Sequence, residues 1–286
     1  MERIALFGKG GSGKSTIASC LSYVYAKSGL RVLHVGCDPK RDSTLRLLGE
    51  RARISMVDLI FPQDPREAVL RSPHGIDCVE TGGPFPGVGC AGRGVILTME
   101  RFQRLQLIKE DYYDLVMFDV LGDIVCGGFA APLRHGFVQK LAVIVSDEPM
   151  SLFAANNIAR MVCTYAKNGV SLAGLIGNCR LDVPGASEVL QNFATLLGTS
   201  VLAHFKGDPL VRHAERVNQT VAQFAPDAPV TAAFVRLAER LRGLDPSSLP
   251  LPQPIDDAAL DRFLHDSEPA WESRAAKPLR KTRLRK

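Results

Sequence analysis

The stretch Gly8-Lys9-Gly10-Gly11-Ser12-Gly13-Lys14-Ser15-Thr16 decides the fold of this 286-residue chain. It follows the apolar run Ile4 to Phe7, which predicts a buried strand, and it opens a segment of helical spacing that ends at Gly29. Within it, Gly-x-x-x-x-Gly-Lys-Ser is the P-loop pattern, in which backbone N–H groups and a helix N-terminus face phosphate oxygens. The sequence therefore predicts a strand, a phosphate-binding loop and a helix.

Each residue of this loop is a candidate ligand of a nucleotide or its metal ion. Lys14 is expected to reach the β- and γ-phosphates, and the Ser15 hydroxyl is expected to hold Mg²⁺. Lys9 is a second cation early in the loop, where its own strand and helix cannot easily use it as a phosphate ligand. The candidate ligands are Gly8, Lys9, Gly10, Gly11, Ser12, Gly13, Lys14, Ser15 and Thr16.

Length and composition narrow the class of protein. Apolar strand-like runs alternate with helical segments, which favours one α/β domain with a mostly parallel sheet flanked by helices. Residues 49–77 predict a small helix and loops on the surface. No run reaches the roughly 18 apolar residues of a membrane span, and the first strand leaves no room for a signal peptide. We expect a cytoplasmic protein, without a membrane partner, whose seven cysteines stay reduced.

The formal net charge of +5 lies at the C-terminus. Residues 268–286 contain seven Lys or Arg and two Asp or Glu, so the rest of the chain is nearly neutral. A nucleic-acid-binding face is therefore not indicated. We divide the chain into a P-loop domain, residues 1–245, and a C-terminal extension with a basic tail, residues 246–286.

Charged residues follow the second predicted strand, Arg31 to Gly36. Ligands of a doubly wound sheet lie beyond the carboxyl ends of its strands, so Asp38, Lys40 and Asp42 are expected beside the phosphates. Asp38 is placed to orient an attacking water or to accept its proton, and Asp42 to couple the loop to what lies beyond. The alternative is a solvated turn that happens to be acidic.

A further acid ends the predicted strand Leu115 to Phe118. Asp119 has the usual place of the Mg²⁺-side carboxylate of a P-loop protein. Asp123 follows four residues later, and Cys126 stands in a glycine-containing loop just beyond. This short connection predicts that a γ-phosphate contact at Asp119 or Asp123 moves Cys126 directly.

A second cysteine, Cys90, lies in the glycine-rich stretch Gly82 to Gly94. Such a backbone can approach another body closely, and its amides can hydrogen-bond to the sulfurs of a cluster. An Fe–S cluster takes four Cys ligands, which Cys90 and Cys126 of two symmetric subunits would supply. The alternative is two ordinary buried thiols.

Five motifs together resemble the nitrogenase iron protein family. They are Gly8 to Thr16, Gly36-Cys37-Asp38-Pro39-Lys40, Gly82 to Gly94, Asp119-Val120-Leu121-Gly122-Asp123 and Val125-Cys126-Gly127-Gly128-Phe129. The family includes the iron proteins of nitrogenase, of the dark-operative protochlorophyllide and chlorophyllide reductases, and of related nitrogenase-like reductases. The resemblance covers about residues 3–230 and implies a P-loop ATPase of the deviant, iron-protein type.

The resemblance implies a homodimer with one MgATP site in each subunit and one [4Fe–4S] cluster held between the subunits by Cys90 and Cys126 of each. ATP hydrolysis would gate electron transfer from an upstream ferredoxin or flavodoxin to a separate catalytic component. Lys9 would cross to the nucleotide of the partner subunit and act there as an arginine finger does. Arg93 matches the arginine that meets the catalytic component and that some nitrogenase iron proteins have ADP-ribosylated.

The remaining roles follow from the same motifs. The residues assigned to hydrolysis are Lys9, Asp38, Lys40 and Asp123. Those assigned to the nucleotide outside the P-loop are Asp42, Asp119, Asn178 and Asp208. The assignment of Asp208 is the less secure because Phe205-Lys206-Gly207 lacks the Pro-Arg that precedes this aspartate in the family.

The identity of the catalytic component is left open by the sequence. Leu133 to Gln139 replaces a more charged stretch, which predicts a partner such as methylthio-alkane reductase or a tetrapyrrole reductase; the alternative is nitrogenase itself. An alternative of another class is a deviant P-loop ATPase for cargo positioning or metallocluster delivery, which would share Lys9 and Lys14. A membrane-positioning ATPase should end in an amphipathic helix, and Lys277 to Lys286 has two large apolar residues. A cluster carrier should show Cys-x-x-Cys, which is absent, so we favour the electron donor.

Overall fold

A computed structural model describes residues 1–59, 63–84, 87–122, 127–181 and 184–266 of the chain. These residues contain one eight-stranded sheet. Its strands are β1 Glu2–Gly8, β2 Val32–Gly36, β3 Leu70–Arg71, β4 Asp77–Glu80, β5 Leu115–Asp119, β6 Lys140–Val145, β7 Ser171–Cys179 and β8 Val201–Lys206. Their order across the sheet is β3-β4-β2-β5-β1-β6-β7-β8, and all pairs are parallel except β3 with β4.

Ten helices accompany these strands in the described ranges. They are α1 Lys14–Lys27, α2 Leu45–Leu48, α3 Gly92–Leu105, α4 Ala131–Arg134, α5 Pro149–Tyr165, α6 Ala186–Leu196, α7 Pro209–Arg216, α8 Val221–Phe224, α9 Pro229–Gly243 and α10 Asp257–Asp266. Short 3-10 turns cover Met56–Asp58, Pro65–Ala68, Ala166–Asn168 and Pro246–Ser248. This architecture confirms the predicted α/β fold with a mostly parallel sheet.

The sheet separates two hydrophobic clusters, because successive side chains of a strand point to opposite faces. On β1, Ala5 and Phe7 belong to the cluster that contains residues of α3, α5 and α6. Ile4 and Leu6 belong to the other, which contains residues of α1 and α9. Burial on both faces explains why central strands such as β1 and β5 contain nearly continuous apolar runs.

The carboxyl ends of β1, β2 and β5 lie at one edge of the sheet. Leu6 is paired with Asp119, and Gly36 is paired with the same aspartate from the other side. The P-loop after β1 and the charged loop after β2 therefore meet at Asp119. This is the crevice in which doubly wound sheets bind ligands.

Two segments contribute more residues to the core than the sequence analysis expected. In residues 49–77, Met56, Leu59 and Ala68 are fully buried, because the segment passes beneath α3 to reach β4. In the stretch 133–139 after the second cysteine motif, Leu133, Phe137 and Val138 are buried and Arg134 is exposed. Three of the seven residues of this stretch, which was used to predict the catalytic partner, therefore pack inside the protein.

The chain after α9 returns to the same core. Asn156 on α5 exchanges two hydrogen bonds of 2.8 Å with the backbone of Ile255, and Leu260 of α10 is 1% exposed. The basic tail lies outside the described residues, so the division at residue 246 stays a prediction. No helix in the described parts of the chain is long and apolar enough to cross a membrane.

Candidate nucleotide and cluster site

The P-loop is held in its shape by close packing at two glycines. Gly13 has a φ of +93° and a Cβ there would collide with the amide of Asn178. Gly8 has a φ of +150°, and a Cβ there would collide with the carbonyl of Ile144 on the neighbouring strand β6. Both positions therefore need the conformational freedom and small size of glycine.

The two lysines of the loop have different environments. Lys14 is 6% exposed and its Nζ donates a hydrogen bond of 2.9 Å to the carbonyl of Lys9, across the mouth of the loop. Lys9 is 38% exposed and its Nζ lies 3.4 Å from Glu148 Oε2 at the start of α5. The buried lysine is thus fixed over the loop, whereas the exposed one points away from it.

Asp119 is the buried carboxylate of the site. It is 3% exposed and accepts hydrogen bonds from Ser43 Oγ, at 2.6 Å, and from the Ser15 hydroxyl. Burial raises the pKa of Asp119, and the two hydroxyls and the charge of Lys14 oppose that rise. A hydroxyl beside a carboxylate is the oxygen donor set that Mg²⁺ takes in P-loop proteins, so these residues fit the ion.

A cavity beside the P-loop, called here the phosphate cavity, brings the predicted residues together. It has a volume of about 310 Å³ and is lined by Lys14, Ser15, Asp38, Asp42 and Asp119, among others. The Asp38 carboxylate accepts a 2.9 Å hydrogen bond from the backbone N–H of Lys40, whose Nζ lies 3.7 Å from the other oxygen. Three separate strand ends thus contribute to one site.

A second cavity of about 290 Å³ adjoins the first and is lined by two further residues that the resemblance assigns to the nucleotide. Asn178 and Asp208 both line it, beside the stacked rings of Phe205 and Phe234. Asn178 Nδ2 donates to the carbonyl of Ser12 at 2.6 Å, whereas Asp208 caps α7 by accepting from Leu210 N at 2.8 Å. Asp208 is therefore placed at the cavity but already has a structural role.

Two site residues were missed by the sequence analysis. Glu215 on α7 accepts hydrogen bonds from Thr16 Oγ1 at 2.6 Å and from Arg46 at 2.8 Å, and it lines both cavities. Arg180 also lines both and donates to the Gly11 carbonyl at 2.6 Å. The Thr16 hydroxyl is thus engaged by Glu215.

The Ser12 hydroxyl lies inside the loop. Its Oγ is buried and has no hydrogen-bond partner among the described residues. A contact between Ser12 and the nucleotide stays a prediction.

The loop after β2 connects the nucleotide cavities to the cysteine motif. Lys40 lines the phosphate cavity and also a larger one, of about 760 Å³, that includes Arg41, Cys90 and Arg93. Arg41 has a φ of +54° and forms two hydrogen bonds, of 2.6 and 2.7 Å, to Asp58. The two sites therefore share one short segment of chain.

Cys90 is exposed just before α3, and Arg93 lies in the first turn of that helix. An exposed thiol is accessible to a cluster shared with a second subunit. By contrast Cys20, Cys37 and Cys78 are buried, and burial raises the pKa of Cys20 to about 11, which disfavours the ligating thiolate. Asp123 and Cys126 lie outside the described residues, so the structure does not place these two predicted residues.

The fold and the joined cavities define a P-loop nucleotide-binding protein. A family model described as 4Fe-4S iron sulfur cluster binding proteins, NifH/frxC family, matches residues 2–269. The chain belongs to this family. The family binds a [4Fe–4S] cluster that is shared between the two subunits of a dimer, and it uses MgATP.

Two curated relatives carry names that agree with this assignment. The nitrogenase iron protein of Methanospirillum hungatei JF-1 is 40% identical over 271 residues, which cover 92% of this chain and 95% of that protein. Nitrogenase iron protein 2 of Methanothermobacter thermautotrophicus strain Delta H is 41% identical over 265 residues, with 92% and 97% covered.

Solved structures with a similar fold are more distant in sequence. The septum site-determining protein MinD of Pyrococcus horikoshii OT3, complexed with Mg-ADP, has a TM-score of 0.66 at 20% identity and covers 85% of this chain and 97% of its own. McdA of Cyanothece has a TM-score of 0.65 at 15% identity, with 85% and 100% covered. At such identities the likeness shows the fold alone.

Proposed function

We propose that this chain is the ATP-dependent electron donor of a two-component reductase. As a homodimer, it passes electrons from a [4Fe–4S] cluster to a nitrogenase-like catalytic partner, and an upstream ferredoxin or flavodoxin reduces it. The observation that carries the proposal is that Lys40 lines both the phosphate cavity and the cavity of Cys90. A change at the phosphates is thereby passed to the cluster through a few residues.

Within this proposal each site residue has a role. Lys14, Ser15 and Asp119 hold phosphate and Mg²⁺, and Asp38 acts on the attacking water. Lys9 supplies positive charge to the nucleotide of the partner subunit in the closed dimer. Thr16, Asp42, Asn178 and Asp208 complete the nucleotide site, Lys40 and Asp123 serve hydrolysis, and Cys90 and Cys126 hold the cluster. Residues 1–245 form the ATPase domain, and residues 246–286 extend it.

The positive charge around Cys90 suits a catalytic partner with an acidic docking surface. Arg51 and Arg93 line the cavity at this cysteine, and the charges of Lys40 and Arg41 there are offset by Asp38 and Asp58. Transient electron-transfer pairs select one another largely through complementary charge. We propose methylthio-alkane reductase or a tetrapyrrole reductase as the partner. This choice rests on the stretch 133–139, which differs from the family and in which Arg134 is exposed. Nitrogenase is the second candidate, favoured by the names of the curated relatives.

A trapped complex tests the proposal. The anaerobic protein is mixed with a lysate of its own cells, ADP and aluminium fluoride, and the retained subunits are identified by mass spectrometry. The Lys14→Ala variant is the matched control because it should not form the trapped state. Retention of nitrogenase-like reductase subunits supports the proposal. In a parallel sample to which high salt is added before the trapping reagents, these subunits should not be retained. Capture of molybdenum–iron nitrogenase subunits overturns the choice of partner, and capture of no redox subunit overturns the electron donor.

A further inference from the structure

A histidine lies in the core next to the phosphate site. His34, on β2, is 0% exposed. Its Nδ1 lies 2.8 Å from Ser22 Oγ on α1, and its Nε2 lies 2.8 Å from Ser43 Oγ. Neither Ser22 nor His34 was singled out by the sequence, and neither touches the phosphate cavity.

The direction of these hydrogen bonds can be assigned from the proton of Ser43. This hydroxyl has one proton, and it donates at 2.6 Å to Asp119 Oδ2, which as a carboxylate can only accept. Toward His34, Ser43 must therefore accept, so Nε2 carries the ring proton. Nδ1 is then the acceptor for the Ser22 hydroxyl.

The result is a series of hydrogen bonds that all point in the same direction, toward Asp119. Ser22 donates to His34, His34 donates to Ser43, and Ser43 donates to Asp119, which also accepts from Ser15. Burial lowers the pKa of His34 to about 3, so the ring stays neutral at working pH and keeps one acceptor and one donor. No polar atom of the ring is left for another partner.

We infer that His34 is a positioning residue for the magnesium side of the nucleotide site: its Nε2–H holds the Ser43 hydroxyl as a donor to Asp119. Without that N–H, the Ser43 hydroxyl can rotate and use its proton elsewhere. The buried Asp119 carboxylate then loses a donor and can turn away from Ser15. This inference rests on the proposed use of MgATP, and it assigns His34 no contact with nucleotide or metal.

The test is the magnesium dependence of ADP binding, which needs neither the cluster nor turnover. Affinity is measured by calorimetry over a series of free Mg²⁺ concentrations and in EDTA. For His34→Leu we expect the half-saturating Mg²⁺ concentration to rise about fivefold, the effect of one lost hydrogen bond. Affinity in EDTA should be unchanged.

Two variants separate positioning from packing. His34→Gln keeps a side-chain N–H that can reach Ser43 and should restore the wild-type Mg²⁺ dependence. Val32→Ala lies on the same strand and in the cluster on the face of His34, so it should lower the unfolding temperature without changing the Mg²⁺ dependence. A shift in Val32→Ala as large as in His34→Leu would overturn the inference.

Ser43→Ala covers the case in which His34→Leu fails to fold. It removes the next hydroxyl in the chain and should raise the half-saturating Mg²⁺ concentration similarly; a wild-type value would overturn the inference. If His34→Leu folds, the double variant His34→Leu/Ser43→Ala should have the same half-saturating Mg²⁺ concentration as either single variant, because both changes act on the same hydrogen bond.

If Mg²⁺ fails to tighten ADP binding to the wild type, the proposed function fails as well. If Mg²⁺ tightens binding equally in wild type and in His34→Leu, only the role of His34 is wrong.

Discussion

Lys9 forms an ion pair with Glu148 of the same chain, with 3.4 Å between Nζ and Oε2. The side chains are 38% and 67% exposed, so the pair contributes little to stability and can be exchanged at small cost. Lys14, only five residues away, is buried and bound to the loop itself. The two lysines therefore differ in how freely they can change partners.

This difference predicts different defects for the two alanine variants. Lys14→Ala should weaken ATP binding on the order of 100-fold, because a buried charge-assisted contact to phosphate is lost. Lys9→Ala should bind ATP within about threefold of wild type but hydrolyse it roughly a thousandfold more slowly, as when an arginine finger is removed. Nucleotide affinity and steady-state turnover are measured for both.

Lys27→Ala is the matched control, since Lys27 lies in the exposed last turn of α1. It should leave both quantities unchanged. Equal losses of affinity in Lys9→Ala and Lys14→Ala would show that Lys9 is a ligand within its own subunit.

The buried side chain of Glu80 should make the stability of the protein fall as the pH rises. Its side chain is buried and Oε2 has no hydrogen-bond partner in the described ranges. Burial, to which the charges of Asp119 and Asp42 add, raises the pKa of Glu80 to about 8 despite two hydrogen bonds from Thr44. The unfolded chain ionises this group near pH 4.3, about its ordinary value. Its contribution to stability is therefore complete below about pH 4 and is lost as the pH rises toward 8.

Glu80→Gln should remove this dependence, because the amide keeps an oxygen for Thr44 and does not ionise. The variant should exceed wild type in free energy of unfolding by about 1 to 3 kcal/mol at pH 8, with a smaller difference at pH 5. Urea unfolding at several pH values measures it, with exposed Glu188→Gln as the control. A difference between Glu80→Gln and wild type that does not vary with pH would contradict the prediction.

The strands that the sequence predicted share a simple local signal. β1, β2 and β5 are short apolar runs that end in Gly or Asp, and the P-loop motif specifies its own turn and helix. β4 was missed because half of its residues are acidic. Asp77 is buried there through hydrogen bonds from Arg71 and Tyr113, at 2.7 and 2.9 Å. A strand whose acids are satisfied by distant residues has no apolar pattern to recognise.

The same limit applies to the site. The P-loop and the acids after β2 and β5 were predicted because each lies beside a strand end in the sequence. Glu215 is separated from Thr16 by 199 positions, and only the fold brings the two side chains to 2.6 Å. His34 read as part of an apolar strand, because its two serine partners come from other segments.

At position 41 we expect the glycine variant to be more stable than the alanine variant, which is the reverse of the order in a helix. Its φ of +54° lies in the left-handed region, where glycine is tolerated and a Cβ is not favoured. Arg41→Gly and Arg41→Ala lose the same ion pair to Asp58, so their difference reports the backbone alone. Arg41→Gly should be the more stable by about 1 kcal/mol in chemical denaturation.

Arg236, exposed in the middle of α9, is the control with the opposite sign. There the glycine variant should be less stable than the alanine variant by about 0.5–1 kcal/mol. The same order at both positions would refute the backbone explanation for Arg41.

The last prediction concerns iron. Protein purified without oxygen should be brown, and Cys90→Ser or Cys126→Ser should each lose the iron, since the proposed cluster takes both cysteines from each subunit. Cys20→Ser and Cys163→Ser should retain it. Cys20 is fully buried in α1, and the Cys163 thiol donates to the carbonyl of Pro252 at 3.3 Å, so both thiols are engaged within their own chain. Iron content per dimer and the cluster's visible absorbance measure the effect, and nucleotide affinity confirms that each variant folds. Iron retained in both loop variants would remove the basis for an electron donor and leave the cargo-positioning ATPase as the better hypothesis.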